Sequence, residues 1–297
     1  MWPKIKKGLK VFGLGFLFFV VFALLTFPFA RLGPKVSAQI ERFLRASLRQ
    51  PVTCSIHGFD FALPFGVKAD QLSCADVGGQ PFLQLQDWRF VLLPSYQTFT
   101  GAMDGGRIAL TLNAGVNSGP SIIKGELNAV PMKSLSPFVS QLISRANPAV
   151  RDIRFEGNAD GTFEIPLRDF SSKPGSIDLQ FKGLKLPSQP TLQLIGLKEL
   201  PFSKAVVKAT MSGGKLNLSD VQLMSEHLSG KVEGSMELNN EFAKSVPNLT
   251  LKWNVQRSDA LLSTPIGTLL ASAPCPGQDS QGFCSKRITR MEDFSAY

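Results

Sequence analysis

The chain is poor in residues that do chemistry. Its 297 residues include two histidines, two tyrosines and four cysteines. His57 and His227 have no acid or cysteine at ligand spacing, so both read as solvent-exposed structural residues. There is no Gly-x-Ser-x-Gly elbow, no His-Glu-x-x-His and no Gly-x4-Gly-Lys phosphate cradle. Gly213-Gly214-Lys215 and Gly230-Lys231 lack the upstream glycine and the strand-to-helix switch, and read as hairpin turns. Asp160 and Glu164, at strand spacing, read as a solvated face rather than an acid/base couple. The chain therefore offers no catalytic residue, metal ligand or cofactor site, and the expectation is a protein that is not an enzyme.

Net charge is lacking too, outside one segment. The formal net charge is +9, but residues 1–50 hold nine Lys/Arg against the single acid Glu41, which accounts for +8. The rest of the chain holds 23 basic and 22 acidic residues. The body is neutral, so nucleic-acid binding has no electrostatic footprint. The basicity belongs where lysines and arginines meet anionic head groups.

Long apolar runs are absent except for one, Val11 to Ala30, which has 20 residues and no charged side chain. At about 1.5 Å per residue a helix of this length crosses a hydrocarbon core of about 30 Å. The alternative is a cleaved leader, whose apolar region is about 7–15 residues and ends in a small-x-small site. This run is longer and ends in Phe27-Pro28-Phe29-Ala30-Arg31, which favours an uncleaved anchor. Lys4, Lys6, Lys7 and Lys10 precede it, and Arg31, Lys35, Arg42, Arg45 and Arg49 follow, so charge alone leaves the orientation balanced.

The cysteines break the tie. Cys54 with Cys74 and Cys275 with Cys284 form two sequence-local pairs, and neither spacing is a zinc knuckle. Disulfides in an oxidising compartment are expected, with free thiols and a metal site as the alternatives. The body then lies in a periplasm-like space, and the N-terminal tail lies in the cytoplasm.

What is plentiful is glycine and proline, 46 together, and phenylalanine, 23. Glycines punctuate short alternating apolar runs, the pattern of a sheet-rich protein. After the anchor, Val36, Ile40, Phe43, Leu44 and Leu48 form one apolar stripe on a helix ending at Arg49. That helix either caps the following sheet or lies on a membrane or partner. Strands are expected at 52–56, 58–63, 67–74 and 82–92, with a link at 93–101 and further strands at 105–112 and 121–130. A second helix follows from Ser134 and stops before Asn147-Pro148. From 153 onward short strands follow at 153–165, 176–181, 183–186, 202–211, 214–218, 220–224, 228–234, 235–238 and 249–255. A short helix over 261–270 and a Cys275–Cys284 loop with a polar tail close the chain. The implied division is a tail at 1–10, a span at 11–30, a membrane-proximal helix at 31–50, a β-rich domain at 51–272 and a Cys-bearing tail at 273–297. The fold class is mainly β, a long antiparallel meander with one apolar face and few helices.

The order of these motifs resembles a known family. The anchor leads into Phe27-Pro28, the amphipathic helix, and the Gly66-Val-Lys-Ala-Asp-Gln-Leu72 strand, then Phe82-Leu-Gln-Leu85 and the Asp104-Gly105-Gly106 turn. Later come Arg154-Phe-Glu-Gly-Asn-Ala-Asp-Gly-Thr-Phe163, Pro174-Gly-Ser-Ile-Asp-Leu179, Leu184-Lys-Leu186, Gly214-Lys-Leu-Asn-Leu-Ser-Asp-Val-Gln-Leu223 and Ser229-Gly-Lys-Val-Glu-Gly-Ser-Met-Glu-Leu238. From about Phe27 to Leu270 the chain resembles the type II secretion system protein N family, and its strand grammar resembles the wider AsmA/TamB-like envelope group. The Cys-bearing end lies outside the pattern. The resemblance implies a single-pass inner-membrane protein with a periplasmic body and no catalytic residues. It implies an accessory scaffold among secretion-system subunits, or else an elongated, curved sheet whose groove binds phospholipid acyl chains. The groove face would be Ile108, Leu110, Leu112, Leu216, Leu218, Leu251, Trp253 and Val255. The stripe Val36, Ile40, Phe43, Leu44 and Leu48 would meet membrane or partner.

Overall fold

The computed structural model describes residues 29–290, apart from 49–50, 63–64, 77, 80, 94, 116–118, 147–152, 168–172, 195, 240–243, 256–274, 276–277 and 281. Residues 11–28 of the apolar run, the apolar 261–270 segment and the tail from 291 lie outside the described residues. Among the described residues no helix is long and apolar enough to cross a membrane. Phe29 and Ala30, assigned from sequence to the end of the span, open a 3-10 turn, Phe29–Leu32.

Alternating apolar and polar residues give strands, and here they give one sheet of 14. The strands are β1 (Thr53–His57), β2 (Asp60–Ala62), β3 (Gly66–Ala75), β4 (Pro81–Leu92), β5 (Tyr96–Met103), β6 (Gly106–Gly115) and β7 (Gly119–Pro131). There follow β8 (Glu156–Pro166), β9 (Gly175–Leu186), β10 (Leu200–Ser212), β11 (Lys215–Ser225), β12 (Leu228–Glu237), β13 (Val246–Val255) and β14 (Cys284–Ile288). From β3 to β14 each strand pairs antiparallel with its chain neighbour. β1 and β2 share the free edge of β3, one pairing at Ala75 to Gln71 and the other at Lys68 to Gly66. Two-residue turns at Asp104-Gly105 and Gly213-Gly214 have positive φ at both positions, the type I′ geometry that matches strand twist.

Several boundaries differ from those read in the sequence. The expected link at 93–101 contains most of β5. Its inward positions are Gln97, Phe99, Gly101 and Met103, and the glutamine and glycine hide the alternation. The paired short strands at 176–186 and 214–224 are single strands, β9 and β11. A strand carries on through a bulge, at Gly183 in β9 (φ 59°) and between Leu218 and Val221 in β11. Likewise 228–238 forms one strand, β12. The segment read as a closing loop and polar tail contributes β14, which pairs with β13 from Leu249↔Ile288 to Trp253↔Cys284.

Among the described residues three α-helices accompany the sheet: α1 (Gly33–Leu48), α2 (Met132–Ala146) and the short α3 (Pro190–Leu194), which the sequence reading missed. Val36, Ile40 and Leu44 of α1 pack on a cluster built from Val52, Cys54, Phe59, Leu72, Cys74 and Trp88. Glu41 Oε1 accepts the N–H of Cys54 at 2.7 Å, which ties the helix to the edge strand. Helix α2 starts where β7 ends and shares Leu135 between two clusters, one of them holding Met132, Ala159, Leu184 and Ala205. Buried Ser136 accepts the N–H of Phe155 at 2.8 Å, and Ser140 accepts that of Ile153 at 3.1 Å, so α2 aims the chain into β8. Of the two readings of α1, the sheet cap is the one observed.

Candidate functional site

A strand turns alternate side chains to opposite faces, so register partners across neighbouring strands share a face. Followed from strand to strand, two rows emerge. One runs Phe99, Leu110, Gly125, Phe163, Ile177, Ala209, Leu218, Gly234, Leu249, Ile288. The next runs Gly101, Ile108, Leu127, Gly161, Leu179, Val207, Val221, Val232, Leu251, Lys286. Until the last position of the second row, every member is apolar or glycine.

Coverage of these rows is uneven: Gly101, Gly125, Ala209, Leu249 and Ile288 are buried, and most of the others are partly covered. Ile108, Leu110, Phe163, Ile177, Leu179, Val207, Leu218, Val221, Val232 and Leu251 are all half-buried, and Leu223 is 44% exposed. The described helices α1 and α2 lie against β1, β4, β7 and β8. The small cluster of Leu192, Leu197 and Leu200 by α3 closes only the strand ends nearby. No described helix covers the middle of β9 to β13.

The opposite face has the reverse chemistry. Lys124–Glu164 (2.9 Å), Lys182–Asp160 (3.3 Å), Lys208–Asp178 (3.1 Å) and Lys252–Glu233 (2.8 Å) are cross-strand ion pairs. The hydrogen bond to Glu233 raises the pKa of Lys252, and Glu156, helped by Glu199, raises that of Lys185. Asp160 and Glu164, on this face with Thr162 between them, each pair with a different lysine. The two faces thus differ in chemistry, one lined by apolar side chains and the other by ion pairs.

All eight residues read from sequence as a groove face lie on the apolar side. Leu110 and Leu218 are in the first row and Ile108 and Leu251 in the second, and Leu112, Leu216, Trp253 and Val255 flank them. Sequence reading missed Ile123, Phe163, Ile177, Leu179, Val207, Val221 and Val232, all detectable by the same period-2 count. The α1 stripe divides. Val36, Ile40 and Leu44 are spent on the chain's own core, and Phe43 points outward, 69% exposed. Leu48 is the last residue of the helix.

Both cysteine pairs are joined, Cys54–Cys74 across β1 and β3, and Cys275–Cys284 onto β14. One disulfide stands at each edge of the sheet. His57 is exposed as expected, but His227 is half-buried in the turn between β11 and β12. A polar depression is lined by Asp104, Lys133, Glu156 and Asn158; Lys133 lies 2.8 Å from Asp104, and Glu156 pairs with Lys185 outside it at 3.1 Å. Comparison with protein-family models, curated proteins and solved structures gives no match for this chain.

Proposed function

We propose that this is a membrane-anchored periplasmic protein whose sheet holds lipid acyl chains on its apolar face, in an elongated groove of the AsmA-like kind. The observation that carries this is the pair of unbroken apolar rows across β5 to β13. Strands lie about 4.8 Å apart, so β6 to β13 offers about 34 Å of apolar surface. An acyl chain reaches about half of a 30 Å hydrocarbon core, so the face has room for whole lipid tails. The apolar run at 11–30 would place a bilayer beside the β1 edge, and the two disulfides fit an oxidising compartment. A face of aliphatic side chains with its ion pairs kept on the far side suits hydrocarbon better than a polar ligand.

The test is mass spectrometry of lipid retained by the full chain purified gently from membranes. Near-stoichiometric phospholipid is expected, and Leu110→Asp or Leu218→Asp is expected to remove most of it while the disulfides and strand content persist. A folded protein that never carries lipid would sink the proposal.

A second reading, an accessory scaffold among the subunits of a type II secretion apparatus, draws on the family resemblance and on Phe43. This ring stands 69% exposed on the helix nearest the expected membrane anchor. A photo-cross-linker at position 43 that captures a defined secretion subunit would support it.

A further inference from the structure

Resting on the acyl-chain reading, we infer that the β14 edge of the apolar face is a head-group site for an anionic phospholipid, formed by Lys286 and Trp253. Lys286 is the register partner of Leu251 and lies two residues from Ile288, which is buried in the cluster with Leu249. Its side chain therefore shares the apolar face, and it is the only charged residue in the two rows that cross the described sheet. Trp253 pairs with Cys284, which makes Trp253 and Lys286 diagonal neighbours on one face, a spacing of about 7–8 Å that long side chains bridge. Trp88 is buried in the N-terminal cluster, whereas Trp253 is half-exposed. Tryptophan collects where hydrocarbon meets head groups, because its ring is apolar and its N–H is wet. A lysine lays its methylenes on apolar surface and carries its ammonium to the polar boundary.

A recess adjoins the pair. Gly230 is flanked by Leu223 and Trp253 in register, and a side chain built there would meet nothing nearer than the Lys252 carbonyl at 3.9 Å. Beside this notch Leu223 is 44% exposed. The arrangement runs from hydrocarbon surface through an open notch and an indole to an ammonium. A lipid's tail lies along the rows toward β6, and its phosphate meets Lys286.

The experiment incubates the full chain with vesicles of equal parts phosphatidylethanolamine and phosphatidylglycerol, re-isolates it and quantifies both bound lipids. Wild type is expected to retain phosphatidylglycerol in excess. In Lys286→Gln the phosphatidylglycerol-to-phosphatidylethanolamine ratio is expected to fall about fivefold, the size of one lysine's attraction to an anionic surface, and Lys286→Arg is expected to restore it. Bound lipid in the vesicle ratio for wild type, or the same ratio in wild type and Lys286→Gln, overturns the head-group site and leaves the groove standing. Self-association of Lys286→Gln with an unchanged ratio also overturns it, and makes Lys286 a charge guarding an edge strand. No lipid on folded wild type overturns the groove itself.

Discussion

The carboxylate of Asp160, on β8, accepts the backbone N–H of Ala129, on β7, at 2.8 Å. Ala129 has φ 50°, in the left-handed region that a residue with a Cβ seldom occupies. Register slips there, between Leu127↔Gly161 and Val130↔Ala159, so an extra residue is inserted into β7. The bulge delivers Val130, fully buried, into the core, just before α2 begins. Lys182 closes the other side of the carboxylate at 3.3 Å.

This bond makes stability depend on acid. The Ala129 N–H holds the Asp160 pKa below its ordinary value, with Lys182 assisting and partial burial opposing. A carboxyl whose folded pKa is depressed contributes fully above its unfolded pKa and loses that contribution as pH falls through the folded value. Asp160→Ala is expected to cost about 1–3 kcal/mol at pH 7, since it strands a backbone donor. The gap to wild type is expected to narrow below about pH 4. Urea unfolding at pH 7 and pH 3 checks this, and a gap equal at both would contradict it.

Helix α1 separates two neighbouring residues. Leu44 is 5% exposed within the N-terminal cluster, while Phe43 is 69% exposed. Leu44→Ala is expected to lose about 2–4 kcal/mol and Phe43→Ala less than about 0.5 kcal/mol, by chemical denaturation. Equal losses would mean that α1 does not sit on the sheet as described.

Two glycines on the apolar face should answer differently to alanine. At Gly161 (φ 136°) an added Cβ would lie 2.0 Å from the Asp178 carbonyl, which is backbone and cannot withdraw. At Gly125 it would lie 2.1 Å from the tip of the Phe163 ring, which can swing away. Gly161→Ala is expected to cost about 3 kcal/mol or more, and Gly125→Ala about 1 kcal/mol. Thermal unfolding of the two variants ranks them. Gly125→Ala is also expected to lift the Phe163 ring, a change in the aromatic NMR shifts of that residue.

Much of the sheet was legible because one residue's neighbours carry the signal. Ile108, Leu110 and Leu112 alternate without interruption, and so do Leu249, Leu251 and Trp253. Strand β5 escaped notice because Gln97 and Gly101 occupy two of its inward positions. Strand β14 escaped because Lys286 sits inward between Cys284 and Ile288 in a five-residue strand. Both irregularities are local sequence facts that mean something only once a neighbouring strand supplies the register.

By itself the sequence determined the period, the turns and the helix stripe, and it placed the cysteines in two local pairs whose bonding the structure then showed. Each of these follows from residues close in the chain, through side-chain alternation, positive-φ turn residues and short loops. Only the tertiary structure decided that Leu110 and Leu249 belong to one row, and that α1 spends three of its apolar residues on the chain's own core. It also decided that a lysine ends an otherwise apolar row beside a tryptophan. Register is set by hydrogen bonds between strands, and the bulges at Ala129, Gly183 and 218–221 reset it one residue at a time. No local pattern sums those shifts across a sheet of 14 strands.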